Sequence, residues 1–590
     1  MLDIDARDRA TAHYNQGLTY LAAWEGDRQD NVEAAIASLQ AAMEFYTQTD
    51  YPFMWASAQH HLGNAYRLLQ RGKRQDNMEA AIACYQGALQ VRTREDYPLD
   101  WAETQQYRAV AYAGLTRGDR QVNLRKAIVC FQAALQVYTR AAFPLKWAAI
   151  QQSLADLSRD VPPDGGRDGD RQEHIKQAIS NYQAILQVYS LENFPLEWAA
   201  AQQSRGNAYV ALHDEDWQGN LEKAIACYQA ALQVYTRADF PVQWARTQNC
   251  LGIAYASSLG ANRQANLLRA ITCFEAALQV RTRENAPLDW AATQNNLGNV
   301  HRNLLGKDRR EHVEQAIACY RQALLVYTAT TYPQDWATTQ NNLGNAYASL
   351  PVKDRRERQS NLEQAIACFE AALQVYTREI HAVDWARTQH NLANAYYNMP
   401  GENEQANLLK AIACYKIALQ VYTRESTPID WARTTYNLGN AYSVFRDDTQ
   451  ARPYQEQAIA CFTACLRVFT RETFPGDWAA AQHNLGNIYS NLPAGEYGDQ
   501  QTNLLQSIAH YQAALQVYTR EEYPIDWAMI QYNRGNAYAS LLGENLKSNL
   551  EQAILCFQAS LHILNIFQMA NHAHVVTGAI KKAQETLALL

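Results

Sequence analysis

No run of apolar residues in this 590-residue sequence approaches the eighteen or so that a membrane-crossing helix needs. The opening "MLDIDARDRATAHYNQ" lacks the basic start and apolar stretch of a secretory leader, so a cytoplasmic location is expected. Basic charge is also short: 52 Lys and Arg against 59 Asp and Glu leave a formal net charge of −7. A protein that follows nucleic acid phosphates normally presents a basic balance, so nucleic acid is not expected as a partner. None of the 11 cysteines forms a C-x-x-C. Nine of them (Cys84, Cys130, Cys227, Cys273, Cys319, Cys368, Cys414, Cys461 and Cys556) recur at one place, "A-C-[YF]" or close to it. They read as small buried apolar residues, not as disulfides or zinc ligands. A Gly-rich phosphate loop, H-E-x-x-H, G-x-S-x-G and any Cys/His pairing with nucleophile context are all missing. No enzyme, cofactor or metal site is therefore expected, and "NHAH" near the end is too weak a pattern to change that.

What the sequence does contain is a repeat. Eleven of its 13 tryptophans stand at 55, 101, 147, 198, 244, 290, 336, 385, 431, 478 and 527, in steps of 46 to 51 residues. Around each runs "P-[LIV]-D-W-A-x-T-Q-N-N-L-G-N-A-Y", a variable polar stretch, "N-L-E-Q-A-I-A-C-Y-Q-A-A-L-Q-V-Y-T-R-E", and the next Pro. Both halves are predicted helices. The first opens on Pro, whose missing N–H is harmless in the first turn, with Asp289, Asp335, Asp430 or Asp526 near the positive end of the dipole. For the second, Ser360-x-x-Glu363, Asp76-x-x-Glu79 and Ser548-x-x-Glu551 read as capping boxes, and Arg94, Arg237, Arg378, Arg424 and Arg520 as its cationic end. Ala365, Phe369 and Ala372 repeat at i, i+4 and i+7, one apolar stripe. The unit is a helical hairpin.

Leu-Gly-x-x-Tyr, then Ala-x-x-x-[Tyr/Phe]-x-x-Ala, then Pro resembles the tetratricopeptide repeat (TPR), lengthened from its familiar period of about 34 residues. The long period is similar to TPR arrays of bacterial signalling proteins, and "N-N-L-G-N-A-Y" to kinesin light chain-like TPRs. The resemblance spans essentially the whole chain. It implies an all-α, right-handed α-solenoid of about twelve antiparallel hairpins plus a C-terminal capping helix. The expected domains are a capping hairpin at 1–51, eleven Trp-bearing hairpins in one continuous superhelix at 52–569, and a capping helix at 570–590. "DVPPDGGRDGD", 160–170, is expected to be a mobile surface loop.

Three asparagines within five residues, as in "NNLGNAY" from Asn341 to Tyr347, cost a helix about 2 kcal/mol relative to alanine, so something must use them. With Trp336 at 0° on a helical wheel, Leu343 and Tyr347 fall near it, whereas Thr338, Asn341, Asn342 and Asn345 gather around 180°, away from the core. The column at Asn345 runs Asn64, Val110, Asp156, Asn207, Ile253, Asn299, Asn345, Asn394, Asn440, Asn487 and Asn536, unbroken from the seventh hairpin on. The resemblance implies that first helices line a concave, peptide-binding surface. The candidate peptide-binding residues are Asn295, Asn299, Asn341, Asn345, Arg387, His390, Asn394, Arg433, Tyr436, Asn440, Asn487 and Asn536. Asn offers donor and acceptor to a peptide backbone, and Arg beside it suits an acidic residue or C-terminal carboxylate. A repeated Asn can equally be a solvated face or a ladder from one first helix to the next. The leading expectation is an adaptor or scaffold for a protein or peptide. The alternatives are a structural or self-assembling spacer without a ligand, and an accessory presenting substrate to a separately encoded enzyme.

Overall fold

The computed structural model describes residues 2–23, 25–160, 168–260, 262–445, 451–492 and 499–590. The chain divides into two compact units, Met1–Asn285 and Ala286–Leu590. In the first, six hairpins pair α1 (Leu2–Ala22) with α2 (Arg28–Met43), α3 (Pro52–Leu68) with α4 (Arg74–Ala88), and α5 (Pro98–Gly114) with α6 (Arg120–Leu135). They continue as α7 (Pro144–Asp160) with α8 (Asp168–Ile185), α9 (Pro195–Ala211) with α10 (Trp217–Ala231), and α11 (Pro241–Ser257) with α12 (Arg263–Leu278). The second unit pairs α13 (Pro287–Asn303) with α14 (Arg309–Ala323), α15 (Pro333–Ser349) with α16 (Arg355–Leu373), and α17 (Ala382–Tyr397) with α18 (Glu404–Ala418). It continues with α19 (Pro428–Val444) and α20 (Ala451–Cys465), α21 (Pro475–Asn491) and α22 (Gln500–Ala514), α23 (Pro524–Ala539) and α24 (Leu546–Ile566), and closes on α25 (Ala570–Ala588). The twelve hairpins and closing helix read from the repeat are therefore present, with no strand among the described residues. None of their helices is long and apolar enough to cross a membrane. The 160–170 segment falls largely outside the described residues.

Within each unit every helix packs on its chain neighbours, and first helices also touch the next first helix, as α15 touches α13 and α17. A first helix is thus enclosed on several sides. In α15 the residues Ala337, Thr339, Asn341, Leu343, Gly344, Ala346 and Tyr347 are buried, an arc of about 220° on a helical wheel. The arc left open carries Thr338, Asn342 and Asn345, as the sequence pattern predicts. Asn341 departs from that expectation: it stands at the edge of the arc and is only 5% exposed.

The eleven tryptophans are half-buried, although the repeat suggests fully buried rings; it is the following alanine, such as Ala337 or Ala386, that is sealed. Rings of successive hairpins share one buried cluster, so that Trp336 and Trp385 both pack on the cluster of Ala337, Ala372 and Tyr376. "Leu-Gly" marks the closest approach inside a hairpin. A Cβ on Gly344 would stand 2.7 Å from Cε1 of Phe369. The same gap recurs between Gly298 and Tyr320.

Two further expectations need correction. The second helices start upstream of the supposed capping boxes. α16 is capped by Asp354, whose carboxylate accepts from Glu357 N, so Ser360 lies inside the helix, as do Asp76 in α4 and Ser548 in α24. The arginines read as helix ends lie beyond them, because each helix has already ended at a Leu or Gln C-cap; α4 is capped at Leu89, and α16 ends at Leu373, five residues before Arg378. These arginines reach the next hairpin instead: Arg94 donates to Gln136 (2.6 Å), Arg237 to Gln279 (2.5 Å) and Arg378 to Gln420 (3.0 Å). On the opposite edge, a Gln near the start of a second helix caps the backbone after the next first helix. Gln75 Oε1 accepts from Thr116 N (2.9 Å), Gln218 from Leu259 N (3.0 Å) and Gln501 from Leu542 N (3.0 Å).

Candidate functional site

The open arc of the first helices carries the asparagine column, and the second helices determine what each asparagine does. Where the second helix presents a buried tyrosine, its hydroxyl donates to the column residue of its own hairpin. Tyr85 bonds Asn64 (2.8 Å), Tyr182 bonds Asp156 (2.5 Å), Tyr228 bonds Asn207 (2.8 Å), Tyr320 bonds Asn299 (2.7 Å), Tyr415 bonds Asn394 (2.6 Å) and Tyr511 bonds Asn487 (2.8 Å). A buried hydroxyl without a partner is costly, so these asparagines have a structural task.

Where the second helix presents phenylalanine, that task vanishes. Phe131 and Phe274 occupy the tyrosine's place in the hairpins whose column residues are Val110 and Ile253. This accounts for the breaks at Val110 and Ile253. In the second unit, however, Phe369, Phe462 and Phe557 stand in the hairpins of Asn345, Asn440 and Asn536. Asparagine is kept there with no hydroxyl of the second helix to satisfy.

The second asparagine of the "N-N" word supplies a ladder between successive first helices. Asn342 Nδ2 donates to Asn295 Oδ1 (3.2 Å), Asn391 to Asn341 (3.1 Å), Asn437 to Asn394 (3.1 Å), Asn484 to Asn440 (2.8 Å) and Asn533 to Asn487 (3.0 Å). Asn484 also bonds the Tyr436 hydroxyl (3.0 Å). His390 Nδ1 shares a bond with Thr434 Oγ1 (2.8 Å), and burial, with Arg433 nearby, pushes the imidazole down to about 4. Arg387 pairs with Asp384 one turn earlier, whereas Arg433 is exposed. Among the candidate asparagines, only Asn345 and Asn536 have side chains without a hydrogen bond inside the chain.

Both open into clefts. Asn345 lines one of about 330 Å³ with Arg302, Ser349, Arg358, Asn391 and Asn394. No carboxylate lines it. Arg302 interacts with the Tyr320 hydroxyl, its Nε being shielded from solvent, and Arg358 donates to Asn398 (3.3 Å). Asn536 lines a cleft of about 320 Å³ with Asn487, Ser490, Tyr511, Asn533 and Ser540, all uncharged. Arg302 shares its place with Arg67 and Arg159, and Arg358 shares its place with Arg28, Arg74, Arg120, Arg263 and Arg309, so a reading confined to the asparagine columns passes over both. Pairing each column residue with the Tyr or Phe of its second helix was the signal that would have singled out Asn345 and Asn536. Among the described residues no group of three His, Cys, Asp or Glu could hold a metal ion.

No protein-family model matches the chain, and no curated protein matches it. Solved structures similar to it include yeast Tom70, at 11% identity over 90% of this chain and 97% of that one, TM-score 0.35. The Cut9–Hcn1 hetero-tetramer of the APC/C is similar at 14% identity over 98% and 96%, TM-score 0.38. A signal-transduction ATPase with a tetratricopeptide repeat sensor from Pyrococcus horikoshii is similar at 11% identity over 84% and 74%, TM-score 0.40.

Proposed function

We propose that the chain is a protein-interaction scaffold whose second unit binds an anionic peptide segment along the open arc of its first helices. The observation that carries this reading is the cleft around Asn345. Two arginines and four asparagines line it with no carboxylate, and the amide of Asn345 has no hydrogen-bond partner within the chain. A carboxylate or acidic side chain would complete them, as a charge-assisted bond contributes about 1.5 to 3 kcal/mol. The two terminal elements, residues 1–51 and 570–590, then serve as caps.

The test uses the full chain and fluorescein-labelled peptides rich in Asp and Glu, read by anisotropy. Binding in the micromolar range is expected, weakened at least tenfold by Arg302→Ala with Arg358→Ala and by raised salt. Equal binding of a Lys-rich peptide, or no loss in the double variant, would overturn the proposal. Preference for an RNA oligonucleotide would replace it with a nucleic-acid reading. A concentration-dependent mass by gel filtration with light scattering, without peptide binding, would favour the self-assembling spacer.

A further inference from the structure

The last hairpin carries a second feature, unlike the charged cleft. Against α25 there is a mainly apolar hollow of about 170 Å³, lined by Met529, Tyr532, Leu564, Val575 and Val576, with Asn571 and His572 from the first turn of α25. Leu564 and Val576 are sealed beneath it, whereas Val575 is 54% exposed at its rim. An apolar cavity of this size accepts a benzene-sized group. α25 follows α24 without the Pro-x-x-Trp entry and the asparagine word, and Val575 and Val576 face the hollow beside Asn571 and His572.

The hollow has a polar neighbour. Asn536 stands one helical turn beyond Tyr532 on the same open face of α23, about 6 Å along the axis. It is exposed, and its carboxamide bonds nothing within the chain. Phe557 in α24 offers it no hydroxyl. An apolar seat one turn from an idle donor-acceptor pair is complementary to an amino-acid residue whose side chain is apolar and whose backbone amide is free to pair. A lipid tail or a hydrocarbon would leave Asn536 unused.

We propose that the hollow and Asn536 form a subsite for a leucine- or phenylalanine-like residue of the bound peptide, with the side chain against Met529 and Val575 and the peptide group on the Asn536 amide. This rests on the open arc being a binding surface but not on the Arg302 cleft. The partner segment accordingly combines acidic residues with a bulky apolar one toward the α25 end.

The test titrates the full chain, with 13C-methyl-labelled methionines, with N-acetyl-leucinamide, N-acetyl-phenylalaninamide and N-acetyl-alaninamide. A saturable shift of the Met529 methyl is expected with the first two, at least fivefold weaker with the alanine amide. Asn536→Ala should weaken the leucine amide three- to tenfold while leaving benzene, a probe without an amide, unchanged. Val575→Asp, at an exposed position that folding tolerates, should abolish both. No saturable Met529 shift, equal response to the alanine amide, or unchanged affinity in Asn536→Ala would each overturn the subsite. Binding of acidic peptides, measured separately on Arg302→Ala with Arg358→Ala, reports on the scaffold reading alone.

Discussion

An asparagine in this chain means one of two things, and its partner in the second helix decides which. Asn394 accepts from the Tyr415 hydroxyl at 2.6 Å, and Tyr415 is 1% exposed, so Asn394→Ala strands a buried hydroxyl. A loss of about 1 to 3 kcal/mol is expected, most of it restored when Tyr415→Phe is added, because removing both partners is far cheaper than removing one. Asn345→Ala should instead be neutral or slightly stabilising, since alanine is the better helix former by about 0.6 kcal/mol. Chemical denaturation of the three variants checks this; equal losses at Asn345 and Asn394 would contradict it. The thiols give a second residue-scale expectation. Burial pushes Cys368 and Cys414 up to about 11. The thiolate is the reactive form, so alkylation near neutral pH should run about a hundredfold slower than for an exposed cysteine and accelerate as pH approaches 11. The unfolded thiols ionise near 9, so between 9 and 11 the folded state holds more protons and these groups cost stability as pH rises. Peptide-resolved iodoacetamide rates across pH settle it; a midpoint near 9 for Cys368 would show the thiol is not shielded. These roles were only half legible in the sequence. The column was visible because it repeats, but telling Asn345 from Asn394 requires knowing which ring of the facing helix reaches it, a contact across about 21 to 24 residues that no helical wheel displays.

At the scale of the hairpin, the pattern was legible almost throughout, because Pro, Trp, Gly and the small alanines each mark a steric requirement. Gly344 is the strictest. With Phe369 2.7 Å from where its Cβ would lie, Gly344→Ala must displace a fully buried ring. Overpacking of this kind costs about 1 to 3 kcal/mol, more than the helix-propensity gain of about 1 kcal/mol can offset. The expected result is a net loss confined to α15 and α16, seen by hydrogen exchange; uniform destabilisation of the second unit would show that hairpins do not open singly. The ninth hairpin already carries Ala393 at this place, so the alanine itself is compatible with the fold where the ring can shift. Helix ends were read less well. The boxes at Ser360 and Ser548 satisfy a sequence rule but lie inside longer helices, because tertiary contacts of the turn residues, such as Arg310 with Glu357 (2.5 Å), extend α16 upstream. Capping rules weigh local bonds only.

At the scale of the molecule, the repeat count was legible and the division into two units was not. The tryptophan spacing runs through residue 285 at an unbroken 46 residues, from Trp244 to Trp290. What distinguishes the units is chemical: the second keeps asparagine in all six hairpins, including three whose second helices offer only phenylalanine. The glutamine bonds along the two edges have a mechanical consequence. Gln75 and Gln501 tie the backbone of the next hairpin on one edge, and Arg94 and Arg378 tie its Gln on the other, so each hairpin is clamped chiefly to its neighbour. Stretched by its ends, each unit should behave as a chain of separate links, not as one brittle body. Single-molecule extension would then trace a sawtooth whose teeth each release about 160 Å of contour, one 46-residue repeat at a time.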